Sequence, residues 1–242
     1  MPTGKLSMLD TSAVTGVFLY NVCEKLLKQD RGSSMARYYI ADLHFFHDAL
    51  NTRMDKRGFS SGEEMNEYMI GKWNDRVRKR DEVVILGDFS LGKAEETMEV
   101  LRQLSGKRML VEGNHEKYLK DKSFDRSLFE WVKGYAELHD NNRKIILSHY
   151  PVFCYNGQYR LAASGNPRTY MLYGHVHDTM DERLVMRFQK ETRETVREVF
   201  GAEEKQAIPC NMINCFCTYS DYTPLTLDEW IAVQQKREEQ FM

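Results

Sequence analysis

No run of apolar residues in this 242-residue sequence is long enough to cross a bilayer, which argues against an integral helical membrane protein. Cysteine is scarce. The five present are an odd number, and Cys210, Cys215 and Cys217 cluster late without a CxxC pair, so neither a disulfide framework nor a thiolate zinc site is indicated. Cys215 and Cys217 read as two small residues on one face of a strand, in a protein of a reducing, cytoplasmic compartment. An excess of one charge is also lacking. With 34 Lys and Arg against 36 Asp and Glu, there is no overall basic field to hold nucleic acid by its phosphates, and neither stable nucleic-acid binding nor a membrane partner is expected. Internal repeats and low-complexity tracts are missing too. What remains is ordinary globular usage, 42% hydrophobic and 29% charged, at a length that buries a core without disulfide or metal staples. Oligomeric state is not legible.

Residues 1–34 differ from the rest. The apolar stretch from Ala13 to Val22 has one Lys before it, a charged segment after it and no small-residue cleavage site, so it makes a poor signal peptide. Gly32, Ser33 and Ser34 form a flexible joint before a second Met at position 35. The expectation is an N-terminal extension over 1–34, an appendage or start-site artefact, followed by a single domain over 35–242.

From Met35 the pattern alternates. Tyr38 to Ala41, Val83 to Leu86 and Arg108 to Val111 read as buried strands. Between them lie a helix capped by Ser61 with Glu64, whose apolar face includes Met65, Met69 and Trp73, and a helix from Lys93 to Leu104. This βαβ rhythm implies parallel pairing and an α/β layered fold. Further on, Val132 to Leu138 and Lys144 to Ser148 flank a turn at Asp140-Asn141-Asn142 and read as a hairpin. Tyr170 to Tyr173 and Met212 to Cys217 are further strands, Glu182 to Glu204 an exposed or inserted helix, and Thr226 with Glu229 caps a last helix.

Five short motifs fall at the ends of these strands: Asp42-Leu43-His44, Gly87-Asp88, Gly113-Asn114-His115-Glu116, Ser148-His149, and Gly174-His175-Val176-His177. They hold five of the seven His. Ligands on α/β sheets collect beyond the carboxyl ends of strands, so the five loops are expected to converge on one crevice. In extended chain, residues i and i+2 point the same way, so Asp42 with His44, and His175 with His177, can each address one point. The glycines before Asp88, Asn114 and His175 allow close approach of the backbone. Carboxylate, imidazole and amide oxygen suit Mn, Fe, Zn or Co better than calcium. Seven donors, Asp42, His44, Asp88, Asn114, His149, His175 and His177, are too many for one ion. Two divalent ions sharing a bridging Asp form the clamp used for displacement at phosphorus, and their charge outweighs the two carboxylates and a bridging hydroxide, which favours an anionic phosphate ester.

The ordered set DxH, GD, GNH[DE], H, GHxH resembles the calcineurin-like metallophosphoesterases. The stretch from Arg37 to Asn74, with DLHFFH, RGF, EEMN and KWN, is similar to small bacterial and phage members, although Phe46 replaces a Gly often seen there. The resemblance implies a four-layer αββα sandwich of two mixed sheets flanked by helices. It also implies two divalent ions (Mn2+, Fe2+ or Zn2+), one held by Asp42, His44, Asp88 and His177, the other by Asp88, Asn114, His149 and His175. Metal-hydroxide attack would be completed by His115 as general acid. Ser/Thr protein phosphatases of this superfamily read GDxxDRG where this chain has Gly87-Asp88-Phe89-Ser90-Leu91-Gly92-Lys93, so a phosphoprotein substrate is disfavoured. The expected substrate is a phosphomonoester or phosphodiester of a small molecule or nucleotide. The alternatives are a nuclease or dinucleotide polyphosphate hydrolase, and a non-catalytic scaffold on the same fold.

Several residues stay open. Glu116 or Asp178 could orient His115, or Glu116 could be a first-turn helix residue. His47 could line the pocket or stand behind it, and His139 is expected to be exposed. Lys93, Arg53 and Arg57 could meet phosphate or be solvated. Tyr150 and Tyr155 could form the pocket rim or pack inward.

Overall fold

The computed structural model describes residues 35–201 and 203–241; the expected extension over 1–34 lies outside the described residues. Two four-stranded sheets carry the fold. The first holds β1 (Arg37–Ile40), β2 (Glu82–Ile85), β3 (Lys107–Val111) and β4 (Trp131–Lys133) in that order, all parallel. Along its outer edge β1 makes an antiparallel bridge, Tyr39 to Leu225, and just past its end Ala41 makes a parallel one to Phe216. The second sheet has the order β10-β7-β6-β5, built from β5 (Ala136–Asp140), β6 (Arg143–Leu147), β7 (Thr169–Tyr173) and β10 (Met212–Asn214); only the β5–β6 hairpin is antiparallel. The helices are α1 (Gly62–Arg76), α2 (Ala94–Gln103), α3 (Met180–Glu194) and α4 (Leu227–Phe241).

Alternation in the second sheet separates the layers. Ile145, Leu147, Leu172 and Ile213 join the large core that contains the first sheet, α1, α2 and α4, whereas Ile146, Met171, Tyr173 and Met212 face the other way, towards Val185 and Phe188 of α3. Period-two side chains thus give one face to the companion sheet and the other to a helix, which is the αββα arrangement. The first sheet is buried on both faces, as parallel sheets are: Tyr38, Tyr39 and Ile40 of β1 are fully buried in succession.

Local chemistry explains the element ends, with four departures from expectation. Ser61 accepts the Glu64 N–H at 3.1 Å, but the Glu64 carboxylate takes the N–H of Ser60 rather than that of Ser61. The stretch from Val132 to Leu138 is not one strand: after β4 the chain leaves the first sheet at Gly134 and enters the second as β5. The helix expected over 182–204 begins at Met180 and stops at Glu194, where the β-branched pair Thr195 and Val196 turns extended and Val196–Arg197 pairs with Gln206–Ala207 as a small ribbon, β8 and β9. The strand expected to reach Cys217 ends at Asn214; Cys217 opens a 3₁₀ turn and donates its thiol to the Asp42 carbonyl at 3.1 Å, so it does not share a strand face with Cys215. Thr226 and Glu229 cap α4 reciprocally.

Candidate metal centre

The five motif loops leave β1, β2, β3, β6 and β7 at their carboxyl ends and meet in one crevice. The donor pairs are not extended, contrary to the sequence expectation. Asp42, His44, Asp88, His175 and His177 all adopt left-handed backbone, with φ between 47° and 71°. Each loop must reverse within a residue or two of its strand, and a left-handed residue is the shortest way to do so, at a cost of about 1–3 kcal/mol each. Part of that cost is offset by hydrogen bonds from the same residues. Asp42 accepts the N–H of His175 on both carboxylate oxygens at 3.0 and 3.1 Å, and Asp88 Oδ1 accepts the N–H of His115 at 2.9 Å. Leu43 and Val176, between the paired donors, are buried as expected. Gly174 leaves room for Asp42: a Cβ there would stand 2.5 Å from its Oδ2.

Two groups of donors result. Asp42, His44 and His177 gather with donor atoms within 4.8 Å of one another, and Asp88, His149 and His175 do the same. In the first, Nε2 of His44 and of His177 are 3.1 Å apart, and Asp42 Oδ1 is 3.8 Å from His177 Nε2. In the second, His149 Nε2 lies 3.1 Å from Asn114 Oδ1. Asp88 stands between them. Its Oδ2 is 3.5 Å from Nε2 of His44 and 3.5 Å from Nε2 of His149. Two donors about 2.1 Å from one divalent ion and at right angles are about 3 Å apart, so these spacings fit cations with little rearrangement.

The electrostatics also fit. Asp42 is fully buried and Asp88 nearly so, and the Arg57 guanidinium nearby bonds the Asp42 carbonyl rather than its carboxylate. Burial pushes Asp42 up to about 6 despite His177 and His149. Burial works the same way on Asp88, but the hydrogen bond from His149 and the charges of His149, His44 and His115 bring it down to about 2. His44 is held well below its ordinary value by burial, and its Nδ1 is buried without a partner among the described residues. For His149 burial opposes charge, yet the Asp88 bond and the Asp42 and Asp88 charges raise it to about 9. Both His149 nitrogens face acceptors, Leu86 carbonyl on one side and Asn114 and Asp88 on the other, so a cation would replace the Nε2 proton.

The residues left open find places. His115 is partly exposed at the crevice, its Nε2 3.9 Å from Asp88 Oδ2 and its ring 5.3 Å from that of His44. Neither acid expected to orient it does so. Glu116 is buried and accepts the N–H of Phe89 at 2.9 Å and of Gly113 at 2.8 Å, bracing the Asp88 loop against the Asn114 loop; burial and Asp88 push it up to about 7. Asp178 accepts the Tyr219 hydroxyl. His47 lines the crevice, its ring 5.3 Å from His44 and 6.4 Å from His115. Tyr150 forms the rim, its ring 4.5 Å from His175, whereas Tyr155 is buried and accepts the Asn211 N–H. His139, Lys93 and Arg53 are exposed. Arg57 is not a surface cation: its guanidinium is buried against Asp55. Asp55, which no sequence signal marks, accepts from His177 Nδ1 at 2.7 Å. Although burial opposes it, the His177 bond and Arg57 keep the Asp55 carboxyl below its ordinary range.

Among the described residues, no helix is long and apolar enough to cross a membrane. The sequence is 32% identical over 142 residues to the uncharacterized protein MJ1445 of Methanocaldococcus jannaschii, covering 58% of this chain and 68% of that protein. The fold resembles the crystal structure of AQ665, a protein of unknown function from Aquifex aeolicus, with a TM-score of 0.53 at 18% identity over 86% of this chain and 100% of that one. The family model of the calcineurin-like phosphoesterase superfamily domain matches residues 35–196, and the chain belongs to that family.

Proposed function

We propose that this protein is a metal-dependent phosphoesterase that hydrolyses a phosphomonoester or phosphodiester of a small molecule or nucleotide. The observation that carries the proposal is the position of Asp88 Oδ2, 3.5 Å from one imidazole nitrogen of each donor group, which leaves Asp88 within reach of both. Asp42, His44, Asp88 and His177 would hold one divalent ion (Mn2+, Fe2+ or Zn2+), and Asp88, Asn114, His149 and His175 the other. Bound there, the two ions would supply Lewis-acid polarisation of the phosphoryl oxygens and acidify a water.

The chain's own residues do the rest. His115 stands at the open side of Asp88 with its ring free of a hydrogen-bonded carboxylate partner among the described residues, placed to give a proton to the departing ester oxygen. Asp88 Oδ1 holds the backbone of that histidine, which ties the proton carrier to the donor group. Tyr150 lies beside His175, and His47 beside His115. A cytoplasmic location and the absence of a stable nucleic-acid partner belong to the same proposal.

The test is elemental analysis of protein purified without chelator and loaded with Mn2+, followed by turnover of mono- and bis-nitrophenyl phosphate. Two ions per chain and turnover of at least one ester are expected, and Asp88→Asn should lose both ions. Wild-type protein that binds no ion, or binds two and turns over neither ester, rejects the phosphoesterase; the second result favours a scaffold.

A further inference from the structure

The two donor groups are fixed by different means. In the second, His149 Nδ1 is held by the main-chain carbonyl of Leu86 at 2.8 Å, just past β2, and no side chain is needed. In the first, His44 Nδ1 has no partner among the described residues, and His177 is held by a side chain from a distant loop.

That loop follows the 3₁₀ turn Asp48–Asn51. Thr52, Arg53, Met54 and Lys56 are exposed, but Asp55 and Arg57 turn inward, with side chains 2% and 0% exposed. A carboxylate can only accept, so the 2.7 Å contact of Asp55 Oδ1 with His177 Nδ1 requires the proton on Nδ1, and the neutral ring then carries its lone pair on Nε2, which faces His44 and Asp42 of the donor group. Arg57 fixes Asp55 in turn, donating Nε and Nη2 to its Oδ2 at 3.0 and 2.9 Å. The same guanidinium donates to the carbonyls of Leu43 at 2.7 Å and Asp42 at 2.9 Å. One buried ion pair therefore ties the Asp42 loop to His177, two donors of the same group. On its other face the His177 ring stacks on Phe216, with centroids 4.6 Å apart and planes at 30°.

We infer that Asp55, locked by Arg57, is a positioning residue for His177 and governs occupancy of the Asp42–His44–His177 site alone, leaving the Asp88–His149–His175 site to its own backbone support. The inference rests on the two-ion proposal above and deepens it by making the two sites separable. Partners of a ligating histidine typically carry about 10–100-fold in metal affinity.

The experiment measures Mn2+ stoichiometry and stepwise affinity by equilibrium dialysis with elemental analysis, on full-length wild type, Asp55→Ala, Asp55→Asn and His149→Ala. Asp55→Ala should retain one tight ion and weaken the other about 10–100-fold. Asp55→Asn, whose amide oxygen can still accept from Nδ1, should fall between it and wild type. His149→Ala should weaken the site that Asp55→Ala spares, so adding Asp55→Ala to it weakens both. Thermal unfolding of the metal-free variants reports folding; if Asp55→Ala does not fold, the milder Asn variant carries the comparison. Two ions bound by Asp55→Ala or Asp55→Asn with unchanged affinities overturn the inference, as does equal weakening of both sites. Wild type that binds fewer than two ions overturns the proposed function and this inference with it, so the two failures are distinguishable.

Discussion

Asp88 faces His115 at two points: Oδ1 accepts the histidine's backbone N–H at 2.9 Å, and Oδ2 lies 3.9 Å from its ring Nε2. The first contact is independent of the side chain. His115→Ala therefore keeps the Asp88 carboxylate in place, and metal content should stay at the wild-type level. Turnover should fall about 10²–10⁴-fold on an alkyl phosphate, the range expected for loss of a general acid. A nitrophenolate leaves without needing a proton, so its ester should suffer much less. Equal losses on alkyl and nitrophenyl esters would assign His115 a role other than proton donation.

The crevice itself was legible because its loops announce themselves: an apolar strand, then Asp, His or Gly-His within one or two residues. What joins the loops was not. Asp55 lies 122 residues from His177, and nothing local distinguishes it from a solvated acid in a polar loop. Arg57 next to Lys56 suggests a basic surface, and only the folded chain shows the guanidinium turned in upon Asp55 and two carbonyls. Spacing i to i+2 indicated that Asp42 and His44 act together, but the left-handed conformation that achieves it is invisible to periodicity. In the fold, apolar patterning located most strands yet ran β4 and β5 together, because the sheet-to-sheet crossing takes only two residues, Gly134 and Tyr135, after Lys133 and has no proline.

Gly87 offers a sharp contrast with Gly71. Gly87 sits at φ +85°, and a Cβ there would clash with the His149 ring, 2.6 Å from its Cγ, and stand 2.9 Å from the Gly113 Cα. Gly87→Ala should cost about 2–4 kcal/mol, from backbone strain plus overpacking, and should weaken the second metal site by displacing His149. Gly71, in α1, has nothing within 4 Å of its would-be Cβ, so Gly71→Ala should instead stabilise by about 0.5–1 kcal/mol. Chemical denaturation of the metal-free variants checks both signs. A neutral Gly87→Ala would show that the loop can give way.

Protonation of the donors gives the metal-free protein an inverted pH dependence. Asp42 is raised from 3.8 to about 6, Glu116 from 4.5 to about 7 and His149 from 6.5 to about 9. Each keeps a proton in the folded chain that the unfolded chain has already released. The stability each contributes is intact below its unfolded value and is lost as pH rises through its folded value. Asp88 acts oppositely, its contribution being lost only as pH falls from 3.8 towards about 2. His44, His47 and His175 are lowered by burial from 6.5 and oppose this loss up to that pH, so metal-free protein should show its net loss of stability between roughly pH 7 and pH 9. Cations require the deprotonated donors, so the rise in Tm on adding Mn2+ should grow over the same window. Thermal unfolding at three pH values, with and without Mn2+, checks this; a metal-induced rise that shrinks with pH would contradict it.

The charged helix α3 is anchored by a buried pair that reaches the metal centre. Arg237 Nη2 lies 2.6 Å from Glu182 Oε1, and both side chains are nearly inaccessible. Glu182 Oε2 accepts the Tyr173 hydroxyl at 2.8 Å and Asn214 Nδ2 at 3.0 Å, and the same amide nitrogen donates to the His177 carbonyl at 3.0 Å. Arg237→Met leaves the Glu182 carboxylate unpaired in the core, which should cost about 3–5 kcal/mol, because the lost partner matters less than the stranded charge. Changing Glu182→Gln in that background removes the charge while keeping an oxygen for Tyr173 or Asn214, and should recover a large part of the loss. Denaturant titration of the single and double variants measures the coupling. If the double variant is no more stable than Arg237→Met, the loss comes from the guanidinium packed over Tyr219, whose ring centroid is 3.7 Å away, and not from the unpaired acid.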